Sequence, residues 1–318
     1  SYYSNFALQD NGYLWSCGNN SRYELGDGTN TDRNTFIRVD LANVIDFQGE
    51  HNGCIAVTST SNVYMWGTQG ESYMSDLGTQ ASPTELTSLI GKNIVKVRSS
   101  ANTGYAISSD GKLYAWGNGG NYELPSGSDS DITTPTEMTW FSRKNIKVVD
   151  VVPGHGPNTA YLALDDQDRM YVWGQDGNGT IGDGSGDVTN YSVPFLLKEN
   201  ISSMASGKHA AGCIDKFGQV YTWGQANAGQ QNWIYGADSD TNIELPTSNN
   251  LSVGSSVVYD GFDKYVFGKG STTTSNVTYG SNTVSLGTNS EVFLAEPHTY
   301  KFKIMDTDSV TYTSNVVS

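Results

Sequence analysis

The chain has 318 residues, of which 18 are Lys or Arg and 33 are Asp or Glu, so its formal charge at pH 7 is −15. With 36% apolar and 11% aromatic residues it can bury a sizeable core, which excludes a mini-protein or a disordered tail. The basic residues are scattered, whereas phosphate binding needs clustered Lys and Arg, so we expect no nucleic-acid partner. No apolar run approaches about 20 residues, so we also expect no membrane insertion.

One phrase recurs along the first 254 residues. It starts in a polar turn and alternates apolar and aromatic residues up to a glycine, as in residues 110–117 (DGKLYAWG). Successive end glycines are separated by 49, 50, 57 and 50 residues. A period of about fifty residues is typical of repeat architectures. The phrase ends at Cys17-Gly18, Trp66-Gly67, Trp116-Gly117, Trp173-Gly174 and Trp223-Gly224.

Each unit predicts four short strands. An apolar stretch precedes the phrase and is separated from it by a polar turn, which indicates a β-hairpin. A Gly/Asn/Asp-rich loop follows, then a strand that carries a proline in four units, and then an apolar run opened by Asn. No stretch has a sustained helical period. We place the units at about 1–47, 48–97, 98–151, 152–205 and 206–254.

Residues 255–318 depart from this template. The run 259–268 echoes the phrase at a spacing of 44 residues, but residues 271–290 are rich in Ser, Thr, Asn and Gly. Residues 291–304 then alternate as two strands around a turn. The pattern predicts a small C-terminal β-sandwich-like module or a partial sixth blade. We expect the chain to be a fragment of a longer modular protein.

A four-stranded sheet of about fifty residues cannot bury both of its faces alone, so such units stack radially or linearly. The units resemble the repeat of the regulator of chromosome condensation family, whose signature is a hairpin ending in D-G-x-[LV]-[YW]-x-W-G, then an N-x-x-G-x-L-G-x-G-T loop and a proline. Residues 110–117 match the first half, and residues 25–29 (LGDGT) match part of the second. The resemblance covers about residues 1–254 and implies a β-propeller.

The predicted fold class is therefore all-β, with a β-propeller of four-stranded repeats followed by a small β-sandwich-like module. The first unit departs from the signature, because Cys17 stands where the usual Trp would be and Trp15 lies in the neighbouring aromatic column. Recurrence once per unit is what blade packing requires. We predict that these residues are structural in their blades: Trp15, Cys17, Gly18, Trp66, Gly67, Trp116, Gly117, Trp173, Gly174, Trp223 and Gly224.

The sequence contains no motif for nucleophilic catalysis, phosphate binding or zinc binding, so we expect neither an enzyme nor a cofactor. Two acidic stretches, starting at Asp176 and Asp238, have part of the spacing of a calcium loop. Ile181 and Ile243 occupy the sixth position, where an EF-hand has glycine. Adventitious calcium is the one metal that the sequence leaves open.

Three aromatic residues lie outside the repeat columns and are candidates for a surface contact: Trp140, Trp233 and Tyr235. Low Lys content, abundant Ser, Thr, Asn and Gly, and acidity are common in exposed β proteins. We therefore predict a non-enzymatic structural or binding module on an extracellular or virion surface, a fibre or a cell envelope. Its partners would be proteins of a larger assembly, or glycans.

The resemblance implies a different function. Members of the regulator of chromosome condensation family act as guanine nucleotide exchange factors for a small GTPase or as chromatin-associated regulators. The alternative prediction is therefore an intracellular exchange factor or regulator of this type.

Overall fold

A computed structural model describes residues 4–50, 53–68, 77–100, 102–154, 156, 158–177, 179–185, 190–207, 210–225 and 243–252, together with six strand segments between 264 and 315. Among these residues no helix is long and apolar enough to cross a membrane. Apart from one turn of 3-10 helix (Thr87–Leu89) and the short helix α1 (Thr139–Ser142), the regular structure is all strand.

Five antiparallel sheets follow one another along the repeat region. The first has three strands: β1 (Ser4–Leu8), β2 (Leu14–Gly18) and β3 (Arg33–Arg38). The second comprises β4 (Val44–Glu50), β5 (Gly53–Thr58), β6 (Val63–Gly67) and β7 (Gln80–Glu85). The third comprises β8 (Ile94–Ser99), β9 (Thr103–Ser108), β10 (Leu113–Gly117) and β11 (Ile132–Glu137).

The fourth sheet comprises β12 (Val148–Val152), β13 (Ala160–Asp165), β14 (Met170–Gln175) and β15 (Asn190–Lys198). The fifth comprises β16 (Ile201–Ser206), β17 (Ala210–Asp215), β18 (Gln219–Gly224) and β19 (Ile243–Ser252). In each four-stranded sheet the strands lie in chain order. The predicted all-β fold with four-stranded repeat sheets is confirmed.

The strand that opens with Asn joins the hairpin of the following unit, so each sheet begins one strand before its phrase. The Asn before this strand adopts a left-handed backbone conformation, with φ between 53° and 60° at Asn43, Asn93, Asn145 and Asn200. Asn tolerates this conformation better than most residues. It lets the chain leave one sheet and start the innermost strand of the next.

The innermost strands lie side by side around the centre of the propeller. β4 packs against β8, and β12 packs against both β8 and β16. The hydrophobic core lies between successive sheets. One buried cluster, for example, joins Tyr105 and Phe141 from the third repeat to Tyr161 and Trp173 of the fourth sheet.

The two ends of the propeller differ, and we call them the loop end and the turn end. The loop end carries the long connections between the last two strands of each sheet, including residues 19–32, 118–131 and 176–189. The turn end carries the hairpin turns 9–13, 59–62, 109–112, 166–169 and 216–218. Backbone N–H groups that open the inner strands donate to these turns: Val44 to Gly12 at 2.9 Å, Val148 to Gly111 at 2.9 Å and Ile201 to Asp168 at 2.9 Å.

The tail has six described strands in three antiparallel pairs. β20 (Lys264–Phe267) pairs with β23 (Val292–Ala295), β21 (Ser275–Tyr279) with β22 (Asn282–Leu286), and β24 (Lys301–Met305) with β25 (Thr311–Asn315). The two strands expected within residues 291–304 are present, but each pairs elsewhere rather than with the other. The choice between a separate module and a sixth blade stays a prediction.

Candidate functional site

In the second, fourth and fifth units, the tryptophan that ends the phrase links its blade to the preceding one. The Trp66 indole Nε1 donates to the Glu24 carbonyl at 2.9 Å, and Trp173 donates to the Glu123 carbonyl at 3.0 Å. Trp223 donates to the Thr180 carbonyl at 2.9 Å. Each acceptor lies in the long loop of the preceding blade, and the rings are fully buried. These bonds connect the long loop of one blade to the next blade at the loop end.

The glycine of the loop motif leaves room for the indole ring of that tryptophan. Gly26 has a φ of +70°, and a Cβ built there would lie 2.6 Å from Trp66 Nε1. Gly182, at the equivalent place in the fourth long loop, has a φ of +79°, and its Cβ would lie 2.8 Å from Trp223 Nε1. Any side chain at these positions would push the indole away from its carbonyl acceptor. The L-G-x-G signature thus encodes a contact between blades.

Loop carboxylates close the long loops on themselves. Asp32 accepts the Asn20 backbone N–H at 2.7 Å, and Asp131 accepts the Gly119 backbone N–H at 2.8 Å. Both acids lie fourteen residues after the end glycine of their phrase, and both donors lie two residues after it. Sequence reasoning missed this pairing, although the equal spacing in the first and third loops is a usable signal.

A second set of loop acids is held by side chains. Asp27 forms an ion pair with Arg33 at 2.7 Å. The Tyr191 hydroxyl donates to Asp183 at 2.5 Å. Partial burial opposes ionisation at both acids, but hydrogen bonds from Thr29 and Arg33 lower the pKa of Asp27, and those from Tyr191 and Ser185 lower the pKa of Asp183. The two carboxylates are therefore charged at neutral pH.

One buried carboxyl group lacks such partners. Glu123 is 1% exposed, and its two carboxylate oxygens have no hydrogen-bond partner among the described residues. Burial raises its pKa to about 7. Its counterpart in the first loop, Glu24, instead accepts the Arg22 backbone N–H at 2.7 Å. At this repeat position the carboxylate thus has a hydrogen-bond donor in the first loop and none among the described residues in the third.

In the described part of the chain, the loop end is more negatively charged than the turn end. The described parts of its loops, residues 19–32, 118–131 and 176–185 without 178, hold eight Asp or Glu residues and one Arg. The five turns of the opposite end hold four Asp residues and three Lys or Arg. The charge of the chain is therefore distributed unequally between the two ends.

The residues predicted as structural lie at the ends of the second strands of the hairpins. Trp66, Trp116, Trp173 and Trp223 are at most 1% exposed, whereas Trp15 is half-buried and donates to Gln9 at 3.2 Å. Cys17 is also half-buried. The glycines that follow share a left-handed backbone with φ between 110° and 125°: Gly18, Gly67, Gly117, Gly174 and Gly224.

Of the three surface candidates, the structure places one. Trp140 lies in α1, half-buried against the core cluster between the third and fourth sheets. Trp233 and Tyr235 lie outside the described residues. Sequence reasoning treated all three as loop aromatics and did not anticipate the helical turn.

The acidic stretch at Asp176 is also partly visible. Asp176 is 1% exposed and accepts the Ile181 backbone N–H at 3.3 Å, and burial raises its pKa. Asp238 lies outside the described residues. Within the part of the chain that the structure describes, no three His, Cys, Asp or Glu side chains converge as metal ligands. Calcium binding stays a prediction.

Comparison with known proteins shows which repeat family this chain resembles. Residues 110–160 match the family model of the regulator of chromosome condensation (RCC1) repeat. The mouse regulator of chromosome condensation is 31% identical over 170 residues, which cover 51% of this chain and 40% of the relative. An Arabidopsis thaliana protein, the mitochondrial RCC1 domain-containing protein RUG3, is 28% identical over 183 residues, covering 54% of this chain and 40% of the relative.

A solved structure shows the same fold. Prp20p from Saccharomyces cerevisiae, described with its binding properties to Gsp1p and histones, superposes with a TM-score of 0.63 at 16% identity, covering 78% of this chain and 61% of its own. The resemblance to the repeat family is thus confirmed. The matched part of the chain spans about two fifths of the length of the curated relatives.

These relatives correct the first functional prediction. An exterior module on a virion, fibre or envelope is wrong, because the relatives are a regulator of chromosome condensation and a mitochondrial protein, which are intracellular. The extracellular or virion localisation is wrong for the same reason. Composition misled here because acidity and abundant Ser, Thr and Asn are not specific to exterior proteins. Neither a glycan partner nor a larger assembly has support among the relatives.

Proposed function

We propose that this chain, whose repeats resemble those of the regulator of chromosome condensation, is an intracellular, non-enzymatic regulator. We propose further that it binds a basic protein partner at the loop end of its propeller. The observation that carries the proposal is the charge of that end, where five exposed or half-buried Asp residues stand against one exposed Arg in the described loops, while the other three acids are buried. Complementary charge steers association and selects partners. A basic surface is the complement that this end requires.

The loop acids are suited to binding because many are held in place. Asp27 and Asp183 are fixed by ion-pair or hydroxyl contacts, and Asp32 and Asp131 by backbone N–H groups. A carboxylate fixed before binding loses little side-chain entropy on binding. Prp20p, which has the same fold, is described as binding histones, which are basic proteins. Histones are therefore the first partner class to test.

The experiment measures the affinity of the purified chain for core histones by titration calorimetry at several salt concentrations. Asp129 is exposed in the third long loop, and Asp166 is exposed in a hairpin turn of the opposite end. We expect Asp129→Lys to weaken binding by about fivefold, on the order of 1 kcal/mol. The matched control Asp166→Lys makes the same charge change at the turn end and should leave the affinity unchanged. Equal losses in both variants would show that net charge alone is responsible.

A second candidate function is guanine nucleotide exchange on a small GTPase, which the family resemblance implies. It is favoured by one specific observation, the 31% identity to the mouse regulator of chromosome condensation. The test is release of a fluorescent GDP analogue from the small GTPase Ran. Accelerated release that increases with the concentration of the chain supports exchange, and release at the spontaneous rate rejects it.

A further inference from the structure

A groove at the turn end surrounds Trp140, between the third and fourth sheets. It consists of two adjoining depressions of about 330 and 480 Å³ that share Trp140, Lys144 and Val193. Pro125, Ile132 and Met138 line the first, and Ile146, Tyr171 and Phe195 line the second. We call this surface the Trp140 groove. It extends from α1 at the turn end to Pro125 of the third long loop.

The repeat itself does not require Trp140. In the preceding blade Leu86 donates its N–H to Val63 at 2.8 Å, as Met138 does to Leu113 at 2.8 Å, so the two connections are in register. That register aligns Ser88 with Trp140, and buried Leu89 with buried Phe141. The core position is thus filled in both blades, whereas the aromatic ring beside it is present in one. Trp140 adds a surface that the fold does not need.

Two neighbouring aromatic rings fix the position of the Trp140 ring. Trp140 makes edge contacts with Phe141 and Tyr171, with ring centroids 5.1 and 5.8 Å apart. Two apolar side chains on β15 remain exposed nearby, Val193 by 40% and Leu196 by 44%. An ordered aromatic ring beside exposed aliphatic side chains is the usual composition of an anchor site for one apolar side chain of a partner.

The rim of the groove is basic in an acidic chain. Arg143 and Lys144 are exposed, and neither has a carboxylate within ion-pair distance among the described residues. The Lys144 Nζ lies 4.1 Å from the centroid of the Trp140 ring. Glu137 also lines the groove, but Lys112 lies 3.7 Å from its carboxylate and offsets its charge. Surface charges are screened beyond about 8 Å at physiological salt, so this rim attracts anions despite the net charge of the chain.

We propose that the Trp140 groove binds an acidic peptide segment of a partner protein, with one apolar side chain of the segment seated against Trp140. Carboxylates of the segment pair with Arg143 and Lys144 at the rim, and the apolar side chain covers Val193 and Leu196. This inference extends the proposed protein-binding function and rests on it. It gives the molecule two surfaces of opposite preference, the acidic loops and the basic, aromatic groove beside α1.

The test uses a fluorescein-labelled dodecapeptide of Glu with a central Leu, and the same peptide with Gln in place of Glu. Fluorescence anisotropy of the full chain should show binding of the Glu peptide and much weaker binding of the Gln peptide, because the Gln side chains carry no charge to pair with Arg143 and Lys144. We expect the double variant Arg143→Glu/Lys144→Glu to weaken binding of the Glu peptide by about tenfold or more, because attraction becomes repulsion. Trp140→Ser, which restores the residue of the preceding repeat, should also weaken it.

The matched control is Lys92→Glu, an exposed lysine directly before the Asn of the preceding repeat, as Lys144 is in its own repeat. It should leave the affinity for the Glu peptide unchanged. A wild-type chain that does not bind the Glu peptide would overturn the inference, and so would an equal loss in Lys92→Glu. The charge variants alter exposed residues only, so we expect them to fold like the wild-type chain. Circular dichroism of each variant checks that the fold is retained.

The two proposals fail separately. Histone binding that survives in Arg143→Glu/Lys144→Glu, together with no binding of the Glu peptide, removes the groove and keeps the loop-end function. Binding of the Glu peptide without any histone binding keeps the groove and removes the basic partner.

Discussion

Individual residues at the blade interfaces show how one repeat position can have different consequences. Glu24 and Glu123 occupy the same place in their loops, but only Glu24 has a backbone donor for its carboxylate. Around Glu123 lie the hydroxyl of Tyr161, whose pKa is raised by burial, and the rings of Tyr105 and Trp173. A charged carboxylate in that environment is costly, which is why the proton is retained up to about neutral pH.

The raised pKa of Glu123 predicts a stability loss towards neutral pH. An acid whose folded pKa lies above its unfolded value stabilises the fold below the unfolded pKa, and this stability is lost as the pH rises towards about 7. The full effect is on the order of 3 kcal/mol. Urea unfolding at pH 5 and pH 7.5 should show this loss in the wild-type chain and a smaller one in Glu123→Gln. Equal pH dependence in both would contradict the assignment.

The loop glycines give a second residue-scale prediction. Gly26→Ala and Gly182→Ala place a methyl group within 2.6 to 2.8 Å of the next indole, so they should destabilise the fold by about 2 kcal/mol. Gly91→Ala is the control, because Gly91 has a φ of +75° but no atom within 4 Å of its Cβ position. It should cost about 1 kcal/mol, from the backbone alone. Thermal unfolding distinguishes the two kinds of glycine.

At the scale of the strand, the Asn before each inner strand acts through its backbone conformation. Its left-handed conformation turns the chain, and its carbonyl accepts an N–H from the hairpin turn of the same sheet. Ser59 donates to Asn43 at 2.8 Å, Ser109 to Asn93 at 2.9 Å and Lys216 to Asn200 at 2.7 Å. The side chain matters less than the φ that it permits.

This account predicts opposite results for two substitutions of Asn93. Asn93→Gly keeps the left-handed backbone available and should leave the unfolding free energy within about 0.5 kcal/mol of wild type. Asn93→Val introduces a β-branched side chain at a φ of 53° and should cost about 1 to 3 kcal/mol. If Asn93→Gly destabilises as much as Asn93→Val, the Asn side chain rather than the backbone is responsible.

The strands can be predicted from the sequence because the alternation of apolar and polar residues and the turns that bound each strand are local features. The partner of each Asn-opened strand was not readable, because pairing with the following hairpin depends on the closed order of the sheet. The sequence predicts that the repeated tryptophans are packing residues, but the bonds from three of them to Glu24, Glu123 and Thr180 join consecutive units and leave no local pattern. The sequence singles out Trp140 because it lies outside the repeat columns. Only the structure shows that Arg143 and Lys144 lie beside it.

For the whole molecule, the two ends of the propeller have different chemistry. The sequence gives one net charge of −15, but the chain order of the sheets sorts the acids towards the loops and leaves the turns nearly balanced. A propeller presents its two ends to different surroundings, so such sorting assigns a basic partner to one end and leaves the other for a second contact. Composition alone does not reveal this sorting, because it averages over both ends.

Hydrogen–deuterium exchange of the chain with and without saturating core histones tests this central claim most directly. The account predicts slowed exchange in the long loops, above all in residues 19–32 and 118–131, with the hairpin turns 109–112 and 166–169 unchanged. Protection confined to the hairpin turns, or no protection at concentrations where the partner is bound, would contradict binding at the loop end.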